Sequence, residues 1–153
     1  MTNSFTFFPK IKPLLYLLLS FSPHTTFAQF GPQNLISAPC QDCRPASVFA
    51  ADLDGDGDMD VLSAFGGDDI IAWYENLGDG TFSTQNILSS EADFAISVFA
   101  SDLDGDGDMD VISASEGDDK LAWYENMGNG IFSTQNIIST EGDFVRTVFA
   151  ADL

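Results

Sequence analysis

The chain has 153 residues, with 24 acidic residues against 5 basic ones and one histidine, a formal net charge of −19. Such a balance repels nucleic acid and anionic membrane surfaces and attracts cations. Aromatic and branched apolar residues are too plentiful for a disordered acidic chain, and the acids come in clusters, which points to sites.

Residues 1–28 read as a secretory signal peptide. Lys10 and Lys12 supply the positive start, Pro13 to Phe21 a short apolar run, and Thr26-Phe27-Ala28 a small-residue cleavage site before Gln29. The apolar run is well short of the roughly 20 residues that a membrane span needs, and no second long run follows, so a secreted protein with no span in its mature chain is expected. His24 is the only histidine and falls in this segment. The mature chain therefore excludes Ser-His and Cys-His nucleophilic systems and His-ligated zinc. Three basic residues, Arg44, Lys120 and Arg146, then face all 24 acids.

Residues 29–47 form a leading strand and loop. Phe30 to Ser37 resembles the later segment Phe82 to Ser89. Cys40 and Cys43 follow, and in a secreted protein a local disulfide is the leading reading, with unpaired thiols or crosslinks as alternatives. From Val48 the chain repeats. Residues 48–97 align without a gap with residues 98–147, with 35 of the 50 positions identical, and residues 148–153 begin a third copy. Each copy predicts four short strands: Ser47 to Ala51, Met59 to Ala64, Ile70 to Glu75, and Phe82 to Ser89 after the Gly78-Asp79-Gly80 turn. No segment carries a helical period. Four strands in a fifty-residue repeat are the pattern of a β-propeller blade, so the fold class is all-β, with blades of four antiparallel strands. Two full blades plus partial ones do not close a ring. The chain is expected to be part of a larger propeller, or to depend on self-association of an incomplete one.

Between the first and second strands of each copy lies an acidic loop. Its carboxylates are Asp52, Asp54, Asp56, Asp58 and Asp60 in the first copy, and Asp102, Asp104, Asp106, Asp108 and Asp110 in the second. Oxygen ligands from alternate residues, with glycines between them, suit calcium better than magnesium and disfavour zinc and copper. Position 7 (Asp58, Asp108) is expected to offer its backbone carbonyl. Leu53 and Met59 are expected to anchor the loop in the core. The same spacing opens an EF-hand, but position 12 is Ser63 or Ser113 where a glutamate is needed, and the flanks are strand-like.

The unit Ser47-Val-Phe-Ala-Ala-Asp-Leu-Asp-Gly-Asp-Gly-Asp-Met-Asp-Val-Leu-Ser-Ala64, followed by Ile71-Ala-Trp-Tyr-Glu-Asn-Leu-Gly78, resembles the FG-GAP/VCBS repeat family. That family includes the calcium-binding blades of integrin α subunits and of many bacterial surface proteins. The resemblance covers Phe30 to Leu153. It implies a propeller with Ca2+ in the first hairpin of each blade, held by Asp52, Asp54, Asp56, Asp60 and the Asp58 carbonyl, and by Asp102, Asp104, Asp106, Asp110 and the Asp108 carbonyl. Asp152 would open a third site. The Gly-Ala-Pro element of integrin repeats is missing, so integrin-like ligand recognition is not implied.

Trp73, Trp123, Tyr74 and Tyr124 recur at one blade position, which favours packing over a sugar-binding surface. Glu75 and Glu125 recur too, which disfavours a glycosidase pair. Ligand specificity is expected where the copies differ, as at Phe65/Ser115, Gly66/Glu116, Ile70/Lys120 and Ile96/Arg146. The combined expectation is a secreted, non-enzymatic calcium-binding propeller module. Its partner would be an extracellular protein or carbohydrate, in a binding or adhesion role. The alternative is the propeller portion of a larger extracellular enzyme acting on polysaccharide or lipid.

Overall fold

A computed structural model describes residues 35–36 and 43–151. The leader at 1–28, Cys40, Asp152 and all of Phe30 to Ser37 except Leu35 and Ile36 lie outside the described residues. Among the described residues every regular element is a strand, and no helix is long and apolar enough to cross a membrane.

The first copy folds into strands β1 (Pro45–Ala51), β2 (Asp60–Phe65), β3 (Ile70–Tyr74) and β4 (Asn86–Ser89), and the second into β5 (Ala95–Ser101), β6 (Asp110–Ser115), β7 (Lys120–Tyr124) and β8 (Asn136–Ser139). Each copy is one antiparallel sheet, in the orders β1-β2-β3-β4 and β5-β6-β7-β8. This is the up-and-down arrangement of a propeller blade. Three of the four strands begin and end within two residues of the sequence expectation.

The fourth is shorter than expected. Phe82 makes only an isolated bridge with Asn76, and the ladder resumes at Asn86. The cause is Ser83. Its hydroxyl accepts the Glu75 N–H at 3.0 Å and donates to the Thr84 carbonyl at 2.9 Å, while Asn86 Nδ2 donates to it at 3.2 Å. These side-chain bonds compete with ladder bonds over three residues. The second copy repeats the pattern at Phe132 and Ser133.

The main core lies between the two sheets. Ala51, Leu53, Leu62, Ala64, Ile71 and Trp73 of the first blade pack on Ala92, Ala95, Val98, Ala100, Val111, Ala122 and Tyr124, which belong to the second blade and the linker before it. The many alanines let the sheets approach closely. Each fully buried Leu or Ile contributes about 1.5–3 kcal/mol. Phe49 and Phe99 meet across the interface with ring centroids 4.7 Å apart and planes tilted by 45°. The dependence on a neighbour is visible in Val48, 70% exposed, whose repeat mate Val98 is 4% exposed beneath the first blade.

Polar bonds hold the blades in the same register. The Ser47 hydroxyl accepts the Val98 N–H at 3.3 Å, and Ser97 accepts that of Val148 at 3.2 Å, so the start of the third copy docks as β5 does. Asp69 Oδ1 accepts the Phe94 N–H at 2.8 Å, and Asp119 Oδ1 accepts that of Phe144 at 3.0 Å. Cys43 is buried and disulfide-bonded, at the place where the second copy has Asp93. Its carbonyl accepts the Gly67 N–H, as that of Asp93 accepts the Gly117 N–H.

Three of the variable positions make bonds at the junctions between copies. Lys120 Nζ donates to the Glu91 carbonyl in the inter-blade linker at 2.6 Å and to Gln135 at 3.1 Å, and it pairs with Asp118 at 2.7 Å. Arg146 at the start of the third copy pairs with Glu116 at 3.4 Å. In the first copy the equivalents are Gly66 and Ile96, so both partners differ together.

Among the described residues, Asn126 makes the side-chain hydrogen bond that spans the most sequence. Its Nδ2 donates to the Leu53 carbonyl of the first blade at 2.8 Å and to Met109 O at 3.0 Å. Among the described residues the Asn76 side chain bonds within its own blade, Nδ2 to Met59 O at 3.2 Å and Oδ1 from the Gly78 N–H at 3.2 Å. Replacing Asn126 by alanine strands the buried Leu53 carbonyl. Asn126→Ala is therefore expected to cost about 1–3 kcal/mol more than Asn76→Ala in urea unfolding. Equal costs would show that the bond to Leu53 contributes nothing.

Candidate metal centres

The acidic loops join β1 to β2 and β5 to β6. Their shape follows from their own carboxylates. Asp52 Oδ1 accepts the Gly55 N–H at 2.8 Å, and Oδ2 accepts that of Gly57 at 3.0 Å. Asp54 and Asp56 accept the N–H groups two residues on, at 3.2 and 2.8 Å. The second loop repeats all four bonds within 0.1 Å. Gly57 turns the chain back at φ 97°, a conformation that L side chains rarely adopt.

The result is convergence. Asp52, Asp54 and Asp56 place carboxylate oxygens within 4.8 Å of one another, and so do Asp102, Asp104 and Asp106. Two oxygens on opposite sides of a calcium ion, each bonded at about 2.4 Å, are about 4.8 Å apart. The donor set thus fits a hard divalent cation in both distance and chemistry.

The remaining two carboxylates of each loop lie differently. Asp60 is fully buried, and each of its oxygens holds a backbone amide: Oδ2 that of Leu53 at 2.9 Å, Oδ1 that of Asn76 at 2.8 Å. Asp110 does the same for Leu103 and Asn126. These aspartates tie the start of each loop to the end of the third strand. The Asp58 side chain reaches over the β3–β4 turn, where a Cβ on Gly78 would lie 2.8 Å from its Oδ2. Asp108 is set the same way over Gly128. Neither carboxylate is part of the converging trios.

Burial, the first cause, and the neighbouring carboxylates hold Asp54 and Asp60 above the usual carboxylate range. Asp104 shifts in the same direction. In all three the neighbouring carboxylates add to the rise.

Met59 departs from expectation. It is exposed, so Leu53 alone anchors the first loop. Trp73 takes the packing role, edge-on to Phe132 at 6.4 Å. Glu75 and Glu125 lie on separate sheets and are each locked through backbone bonds to Ser83 and Ser133. Sequence reasoning passed over Asn76 and Asn126. The signal was present, since this amide follows Trp-Tyr-Glu in both copies.

A family model described as an FG-GAP-like repeat matches residues 52–113 and again 102–153, each match opening on the first aspartate of a loop. The chain belongs to the FG-GAP-like repeat family. No curated protein and no solved structure matches the chain. Each match starts in the first hairpin of a blade and runs past that blade's fourth strand, and the carboxylate trios mark those hairpins.

Proposed function

We propose that this FG-GAP-like chain is a secreted calcium-binding β-propeller module that binds an extracellular protein or carbohydrate and performs no catalysis. The observation that carries the reading is the convergence of three carboxylates in each hairpin, on a spacing that matches a calcium sphere. Calcium held by Asp52, Asp54 and Asp56, with Asp60 and the Asp58 carbonyl completing the set, supplies charge neutralisation and ties the first hairpin of the blade. Asp102, Asp104, Asp106, Asp110 and the Asp108 carbonyl do the same in the second blade. The buried, disulfide-bonded Cys43 and the leader-like first 28 residues support an oxidising, extracellular setting. The acidic surface argues against nucleic acid as the partner.

The test is a calorimetric titration of the chelator-treated protein with calcium, with magnesium as control. Binding of two calcium ions, at dissociation constants of about 10⁻⁴–10⁻³ M, is expected. Asp54→Asn with Asp56→Asn is expected to remove one of them. No calcium heat, or equal response to magnesium, would refute the reading.

A further inference from the structure

A groove of about 460 Å³ lies where the two blades meet. It is lined by Trp73, Gln85, Asn86 and Leu88 of the first blade and by Gly130 and Phe132 of the second. Its size is in the range of small-molecule sites. Gly130 has φ 67°, and a Cβ there would lie 2.7 Å from the Trp73 ring, so glycine is what lets the β7–β8 turn close this side. No charged side chain of the described residues lines the groove, in a chain of net charge −19.

The polar part of the lining comes from a sequence difference between the copies. In the second copy the Gln135 amide is engaged at both ends. Its Nε2 donates to the Tyr124 hydroxyl at 2.8 Å, and its Oε1 accepts from Lys120 Nζ at 3.1 Å. In the first copy Ile70 stands in place of Lys120, and the buried Tyr74 hydroxyl has no partner. Gln85, the mate of Gln135, borders the groove instead, with its amide uncommitted among the described residues. Beside it, Asn86 Nδ2 donates to the Ser83 hydroxyl at 3.2 Å, which fixes that amide and leaves its Oδ1 to accept.

We infer that this groove binds a neutral saccharide, with Gln85 and Asn86 bonding its hydroxyl groups and Leu88 and Phe132 packing on its C–H face. The inference rests on the reading of the chain as an extracellular binding module, and it names carbohydrate as the ligand class. A sugar hydroxyl both donates and accepts, and a free primary amide beside a fixed carbonyl oxygen answers both. The C–H face of the ring suits apolar and aromatic walls. A uronate or sulfate would find no cationic side chain here and is repelled by the acidic chain. Trp73 keeps its packing role, and the side chains around it make the recognition.

The test is an array of neutral, uronate-containing and sulfated oligosaccharides probed with the intact, calcium-loaded protein. The best-retained neutral oligosaccharide is then titrated by tryptophan fluorescence in a Trp123→Phe background, which leaves Trp73 as the reporter. Retention of neutral members over anionic ones is expected, with a saturable change in Trp73 emission. Gln85→Ala is expected to weaken binding at least about fivefold, the effect of one net hydrogen bond, and Gln135→Ala to leave it unchanged. Ile70→Lys gives the first copy the ammonium that holds Gln135 in the second, and is expected to weaken binding as well. Gln85→Ala decides the matter if that variant does not fold. No retention of neutral members, equal retention of anionic ones, or equal effects of Gln85→Ala and Gln135→Ala would overturn the inference. Calcium calorimetry on the same protein separates the two readings. Calcium binding without saccharide binding overturns the groove's role alone, and saccharide binding without calcium binding overturns the calcium reading alone.

Discussion

Calcium at about 10 mM is expected to raise the melting temperature by about 5–10 °C per occupied loop relative to the same protein in EDTA. With dissociation constants of about 10⁻⁴–10⁻³ M, that concentration stabilises the folded chain by about 1.4–2.7 kcal/mol per site. For a domain of this size each kcal/mol moves the midpoint by roughly 3–5 °C. The physical source is the crowding of three carboxylates within 4.8 Å, which in EDTA is unrelieved. The effect has a pH sign. Asp54, Asp60 and Asp104 are held above the ordinary aspartate value of 3.8. In EDTA the folded chain therefore binds these protons more tightly than the unfolded chain. Their contribution is full below pH 3.8 and is lost as pH rises through the folded values. Calcium needs the deprotonated carboxylates, so its advantage runs the other way. The gap between the calcium and EDTA midpoints is expected to be wide at pH 7 and to narrow as pH falls into the range where these carboxylates take up protons. Superimposed melting curves at pH 7 would show that the loops do not hold calcium.

Asp60→Ala is expected to destabilise the protein by about 3–5 kcal/mol even in EDTA, where no metal is at stake. The change leaves two amides, those of Leu53 and Asn76, without the acceptors they have at 2.9 and 2.8 Å. Each orphaned buried donor costs about 1–3 kcal/mol. Asp60→Asn keeps one acceptor oxygen and is expected to recover part of the loss. Asp58→Ala, at an exposed position, is expected to stay within about 0.5 kcal/mol of the parent in EDTA. Urea midpoints for the three variants check this. Similar losses for Asp58→Ala and Asp60→Ala would mean that Asp60 has no structural role beyond that of its neighbours.

That pair of aspartates shows how far the sequence carries. Asp58 and Asp60 look alike in the sequence, two members of one acidic run. In the fold one reaches out over a neighbouring turn and the other is sealed beneath the loop as an amide acceptor. Spacing identified the loop, but alternation along a turn-rich segment does not say which carboxylate faces inward. The fourth strand was misjudged for a related reason. Its apolar pattern suggested pairing from Phe82, while Ser83 and Asn86 satisfy each other and the local backbone.

The sequence by itself determined the repeat, the all-β blade, the order of its strands, the position of the acidic hairpins and the family. Each depends on residues close together in the chain: alternation for strands, glycine and aspartate for turns, one fixed period for the array. Only the tertiary structure decided that identical residues do different work. Leu53 is buried and Leu103 is not, Asn126 bridges two blades where Asn76 serves one, and Gly130 sits against Trp73 where Gly80 faces open space. In each pair the deciding neighbour is a whole blade away in sequence, and burial depends on whether that neighbour is present.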